Sequence, residues 1–119
     1  MRRRETWGGA VRFDTGSPHY LGWIVATKHA PNHRILEVLA DQPTHPAFLA
    51  EKAKLETPYW IHVLELDRAV HEAGGYETNA DYRRKELHRF ETRAAAEAWL
   101  LARGVAMDEL RDPRDVDAP

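Results

Sequence analysis

The chain of 119 residues predicts an α+β fold, on three observations. Residues 10–27 hold two extended segments about a turn, the pattern of a β-hairpin. Residues 33–73 place apolar side chains at helical spacing between good capping residues. A second extended stretch from residue 82 runs into a threonine-capped amphipathic segment. The expected order is an N-terminal β-hairpin, a helical middle, a second β-ribbon and a C-terminal helix.

Each element has a local reason. Ala10-Val11-Arg12-Phe13-Asp14 alternates apolar and polar residues, as a half-buried strand does. Thr15-Gly16-Ser17-Pro18 is a turn signal, and His19 to Thr27 is rich in aromatic and branched residues that suit a pleated sheet. The loop between the two is expected to hold about four residues. Asn32 caps a predicted helix from His33 to about Asp41, with Ile35, Leu36 and Leu39 on one side. Gln42-Pro43-Thr44-His45-Pro46 ends it and starts another, whose apolar side holds Phe48, Leu49, Ala53 and Leu55.

The stretch from Thr57 to Gly74 admits two readings. Thr57 as N-cap, Pro58 in the first turn and Gly74-Gly75 at the far end frame a helix. Its apolar arc is Tyr59, Val63, Leu66, Val70 and Ala73, which fall within about 80° on a helical wheel. The competing reading makes Tyr59 to Asp67 a strand with Trp60, His62, Leu64 and Leu66 on one pleat face. Beyond it, Tyr76-Glu77-Thr78 and Tyr82 to Phe90 read as two strands around the tip Asn79-Ala80-Asp81. Thr92 caps a last helix through Arg103, with Ala95, Ala98, Trp99 and Ala102 as its stripe and Trp99 as a core residue.

Composition bounds the rest. Hydrophobic residues make up 43% and charged residues 30%, an ordinary globular balance for one domain. That domain is expected to span residues 1–107. Residues 108–119 carry five acids and two arginines, net −3, and read as a mobile acidic tail. The absence of cysteine excludes disulfides, thiol nucleophiles and cysteine-ligated metal. With no apolar run after Arg2, Arg3 and Arg4, the chain is expected to remain in the cytoplasm with no membrane partner. A net charge of −2 leaves nucleic-acid binding to local clusters.

Arg34-Ile35-Leu36-Glu37-Val38-Leu39-Ala40, Leu49-Ala50-Glu51, Leu55 and Glu72-Ala73-Gly74 together carry a partial resemblance to winged helix-turn-helix domains, over residues 33–90. The resemblance implies DNA binding, with the helix from Pro58 in the major groove and the ribbon on phosphate. Tyr59 and His62 would then face the groove, next to Glu56 and Glu65, whose carboxylates oppose phosphate. Phe90-Glu91-Thr92-Arg93-Ala94-Ala95-Ala96-Glu97-Ala98-Trp99-Leu100 is similar to the strand-to-helix step of arm-type DNA-binding domains in phage integrases, and also to any capped amphipathic helix.

Alternation on a strand puts Arg83, Lys85 and Arg89 on one face of the basic run Tyr82 to Phe90, beside Leu87. Three cations near Tyr82 suit phosphate and base contacts, and equally suit the protection of an edge strand. Four tryptophans exceed what one small core holds with every indole N–H satisfied, so at least one is expected on an exposed patch. Trp60, beside Leu64, is the expected interface residue. The seven histidines show no spacing that gathers a ligand set, so no metal and no cofactor is expected. No P-loop, dinucleotide fingerprint, nucleophile elbow or H-E-x-x-H motif occurs.

The expected function is therefore a non-catalytic nucleic-acid-binding or regulatory module, with contacts from Arg83, Lys85, Arg89, Tyr59 and His62 and no catalytic residue. The alternative is a protein-binding adaptor or inhibitor, or a homodimer, acting through an aromatic patch at Trp60 and Leu64.

Overall fold

The computed structural model describes residues 7–119, so Arg2, Arg3 and Arg4 lie outside the described residues. The fold is α+β, built on one antiparallel sheet of strands β1 (Gly8–Phe13), β2 (Tyr20–Lys28), β3 (Tyr59–Asp67) and β4 (Tyr82–Phe90) in the order β1-β2-β3-β4. Helices α1 (His33–Val38) and α2 (Pro46–Glu56) form the connection from β2 to β3. Helix α3 (Arg68–Glu72) follows β3, and α4 (Arg93–Leu101) follows β4.

The N-terminal hairpin forms as its alternation predicts, in register from Gly8 opposite Thr27 to Phe13 opposite Gly22. Its connection, residues 14–19, is longer than expected and is braced by its own hydroxyls. Thr15 Oγ1 donates to the carbonyls of Ser17 and Tyr20, both at 3.0 Å. Gly16 takes φ +79°, a conformation a side chain would strain.

Thr57 to Gly74 does not form one helix. Residues Tyr59–Asp67 are extended and paired on both edges, with β2 from Lys28 opposite Tyr59 and with β4 from Phe90 opposite Tyr59. The punctuation at Thr57-Pro58 belongs to the helix before it. Thr57 Oγ1 donates to the Ala53 carbonyl at 2.9 Å, closing α2, and the Pro58 carbonyl accepts from the His29 N–H at 2.8 Å. Gly74 does end a helix, with φ +70°, but that helix is the short α3. The helical wheel fails because this strand is apolar on both faces, as a central strand covered on both sides is. Such a run carries no alternation to separate it from a buried helix. The recognition helix that the winged-helix resemblance implies is thus a strand.

Two clusters cover the two faces. Ile24, Ala26, Ile61 and Val63 pack against Ala96 and Leu100 of α4, with Val11, Phe13, Tyr59, Phe90 and Trp99 around them. Leu21, Trp23 and Leu66 lie on the opposite face. Thr92 caps α4 as expected, accepting from Ala95 N–H at 3.1 Å. The buried side of α4 is Ala96 and Leu100, however, not the alanine stripe: Ala95, Ala98 and Ala102 are exposed, and Trp99 is half-buried. Leucine removes far more apolar area from water than alanine does, so Leu100 decides the rotation.

The acidic C-terminal segment is docked, not loose. Arg111 bridges Ala10 by two backbone hydrogen bonds of 2.7 and 2.8 Å, and the carbonyl of Val116 accepts from Trp23 Nε1 at 2.7 Å. Val116 and Ala118 cover the Leu21–Trp23–Leu66 cluster. Tyr76-Glu77-Thr78, expected as a strand, is irregular, and Asn79–Asp81 is a 3-10 turn leading into β4. Among the described residues no helix is long and apolar enough to cross a membrane.

Helices α1 and α2 pack chiefly on each other, and Glu51 is the one buried residue between them. The radius of gyration of 16.5 Å exceeds the roughly 13.5 Å of a compact domain of this size, consistent with this pair standing off the sheet.

Two substitutions test these assignments. Ile61→Ala empties a fully buried site and should cost about 2–5 kcal/mol by urea denaturation. Trp23→Phe keeps a ring in place but removes the donor to Val116, and should cost about 1 kcal/mol. Trypsin should then cleave after Arg111 or Arg114 faster than in the parent chain.

Candidate nucleic-acid interface

The sheet register sorts the basic side chains of β4 in a way that simple alternation does not. Glu65 lies opposite Arg84 while Leu66 lies opposite Tyr82, so Arg83 is the extra residue of a β-bulge. The bulge turns Arg83 to the face that carries Glu65. Arg83 Nε donates to Glu65 Oε1 at 2.6 Å, its Nη2 reaches the same carboxylate, and its guanidinium lies 4.6 Å from the Tyr20 ring centroid. Arg84 Nη1 stands 3.6 Å from the other oxygen of Glu65 and Arg84 Nε donates to Glu86 at 2.5 Å. Glu65 is 7% exposed, so Arg83 and Arg84 serve to neutralise a buried carboxylate. Arg83 is separated from Lys85 and Arg89, contrary to the expectation of one basic face.

Lys85 and Arg89 remain on the other face with β3. Trp60 is opposite Arg89, His62 opposite Leu87, and Leu64 opposite Lys85. On the β2 side, Thr27 is opposite Trp60 and Val25 opposite His62. Cross-strand partners point the same way, so these side chains form one surface. The C-terminal segment covers the neighbouring Trp23 and Leu66 but leaves this part open: Lys85 and Arg89 are exposed, Leu87 is 38% exposed, and Trp60 and His62 are half-buried.

Trp60 is the centre of the surface. Its Nε1 donates to the Thr57 carbonyl at 2.7 Å, which holds the indole in place. The His29 ring lies 4.0 Å away at 39°, the His62 ring 6.4 Å away at 60°, and the Arg89 guanidinium 4.7 Å from the ring centroid. Lys85 donates to Asn79 Oδ1 at 2.9 Å and stands 4.8 Å from the Tyr82 ring. Among the described residues neither Lys85 nor Arg89 has a carboxylate partner. No acidic side chain points to this face from the four strands.

Two other expected site residues are placed differently. Tyr59 and His62 do not share a face, because they are separated by an odd number of strand positions. Tyr59 lies on the α4 side, 5.1 Å from the Trp7 ring, with Lys28 Nζ 5.6 Å from its centroid. Leu64 is 7% exposed and offers little surface to a partner. His29 was not singled out as a site residue. No local signal marks it: a histidine in the connection after a strand meets Trp60 only through the β2–β3 register.

The surroundings bias the charge states. Burial, then the nearby charges of His29 and Lys85, holds the His62 imidazole below its ordinary 6.5. Burial, then Lys54, lowers His29 in the same sense. On the opposite face, hydrogen bonds from Arg84 and His88 hold Glu86 down to about 2. Among the described residues no group of three or more His, Asp or Glu side chains converges as a metal site. Comparison with protein-family models, curated proteins and solved structures finds no match to this chain.

The pH dependence of stability follows with a definite sign. A histidine held below 6.5 in the native state binds its proton more readily when unfolded. Stability should therefore fall as pH drops from 6.5 through the lowered values, and urea midpoints of His62→Gln and His29→Gln should show a shallower fall. Glu86 acts in a separate window. Its contribution is present above its ordinary 4.5 and is lost as pH falls toward about 2, a loss that Glu86→Gln should abolish.

Proposed function

We propose that this chain is a non-catalytic nucleic-acid-binding module that takes a single strand on the open face of β3 and β4. Support comes from one observation: Trp60 lies beside His29 and Arg89, with His62 and Lys85 on the same surface and no opposing carboxylate among the strand residues there. An unstacked base gains about 1–3 kcal/mol by stacking on an aromatic side chain. The base takes the place of the Arg89 guanidinium on the indole, and the freed arginine turns to the adjoining phosphate. Lys85 meets a phosphate further along the strand. A duplex keeps its bases stacked inside and makes little use of a flat aromatic surface.

A second reading, a protein partner, has its own support in the α1–α2 pair. Val38, Leu49 and Leu55 are 66%, 48% and 54% exposed there, a large apolar share for so short a segment. The two readings differ in their response to salt. Two phosphate contacts give log K a slope of about −1.4 against log salt for a single strand, whereas an apolar contact is nearly flat.

The test is fluorescence anisotropy with labelled oligo-dT, oligo-rU and a DNA duplex. Single strands should bind and the duplex should not, and the dT and rU arms report whether DNA or RNA is preferred. Trp60→Ala and Arg89→Ala should each weaken binding about tenfold. Arg83→Ala should destabilise the fold yet leave the affinity of the folded protein unchanged. Equal affinity in Trp60→Ala and the parent chain, with both folded by circular dichroism, overturns the proposal.

A further inference from the structure

Trp60, on β3, has a counterpart in Trp99 of α4, on the opposite face of the sheet. The His88 ring lies 4.6 Å from the Trp99 ring at 37°, and the Arg103 guanidinium lies 3.5 Å from the Trp99 centroid. A tryptophan with a histidine and an arginine at its ring thus occurs twice, once on each side of the sheet. His88 and Arg89 are consecutive in β4, so alternation sends one to each face. Strand β4 is at the end of the sheet order, and no described strand pairs with its outer edge. The sheet is one layer thick at this edge, and the two tryptophans lie against neighbouring residues of it.

Resting on the function proposed above, we infer that Trp99, His88 and Arg103 form a second base-stacking site, reached by a nucleic-acid strand that passes from Trp60 over the edge of β4. Charge is compatible with that path. Arg103 donates to the Trp99 carbonyl at 3.2 Å and has no carboxylate partner among the described residues. Glu86 accepts from His88 at 3.0 Å and from Arg84 at 2.5 Å, and with Glu65 it shares the two cations Arg83 and Arg84. Trp99 is half-buried, with Phe90 at 6.1 Å between centroids, and Arg103 beside it is exposed. The outward backbone N–H groups of β4 supply further donors to phosphate along the way.

A length series separates the two sites. Oligo-dT from about 3 to about 12 nucleotides, within the range a small module spans, is titrated against the full chain. Affinity should rise about tenfold beyond ordinary growth with length once the strand reaches Trp99, since one further stacked base contributes that much. Arg103→Ala, an exposed change that spares the core, should abolish the rise and leave short-oligonucleotide affinity intact. Arg89→Ala should weaken every length. Ultraviolet crosslinking of a long oligonucleotide should mark peptides containing both Trp60 and Trp99, and a short one the Trp60 peptide alone. If Arg103→Ala follows the parent chain at all lengths while Arg89→Ala weakens binding, the second site is refuted and the first stands. If no oligonucleotide of any length binds, both are refuted.

Discussion

Strand β3 is paired along both edges and covered on much of both faces, and the rest of the molecule takes its position from that arrangement. Ile61 and Val63 are 0% and 3% exposed beneath α4, and Leu64 and Leu66 are 7% and 0% exposed on the other side. Burial of that order supplies most of the favourable free energy of so small a domain. It also calls for the backbone N–H and C=O groups of the strand to be paired, and β2 and β4 flank it on both edges. The hairpin, α4 and the docked C-terminal segment each complete the cover of this one strand. The α1–α2 pair does not, and it stands off the sheet in consequence.

The bulge opposite Glu65 connects stability to surface charge. A carboxylate with so little exposure needs paired cations, and two arginines of β4 supply them. Without the extra residue, Arg83 would point to the face of Lys85 and Arg89. With it, the sheet divides its cations into a pair that neutralises the buried Glu65 and a set that faces outward. The outward set adjoins aromatic rings. Arg89 lies over Trp60, Lys85 by Tyr82 and, beyond the sheet, Arg103 over Trp99, each an exposed cation beside a π surface.

The tryptophans show how the fold treats amphipathic rings. Trp23 is wholly buried, with its N–H on a backbone carbonyl. Trp7 donates to Glu97 at 3.0 Å and Trp60 to Thr57, so each polar edge is satisfied while part of the ring stays accessible. None of the four indoles is fully exposed: Trp7, Trp60 and Trp99 are half-buried at the margins of the core, short of the exposed patch that their number suggests. Composition did not reveal that two of them would each gather a histidine and an arginine, Trp60 with His29 and Arg89, Trp99 with His88 and Arg103.

Local chemistry by itself determined the elements with strong punctuation. The first hairpin, the Asn32 and Thr92 caps, the last helix and the extended run from Tyr82 were legible because alternation and capping act within a few residues. Lys85, Arg89, His62 and Trp60 stood out as residue types, and the sheet places them on one surface, whereas Arg83 and Tyr59 lie on the other face. Tertiary structure alone decided that Tyr59–Asp67 is a strand, because a segment apolar on all sides suits a helix or a central strand equally. The choice is made by pairing partners 35 residues earlier and 27 later, as Ala26–Ile61 and Ile61–His88 illustrate. Register and the bulge then set which side chains meet. Both arise from contacts between distant parts of the chain, which no short window of sequence contains.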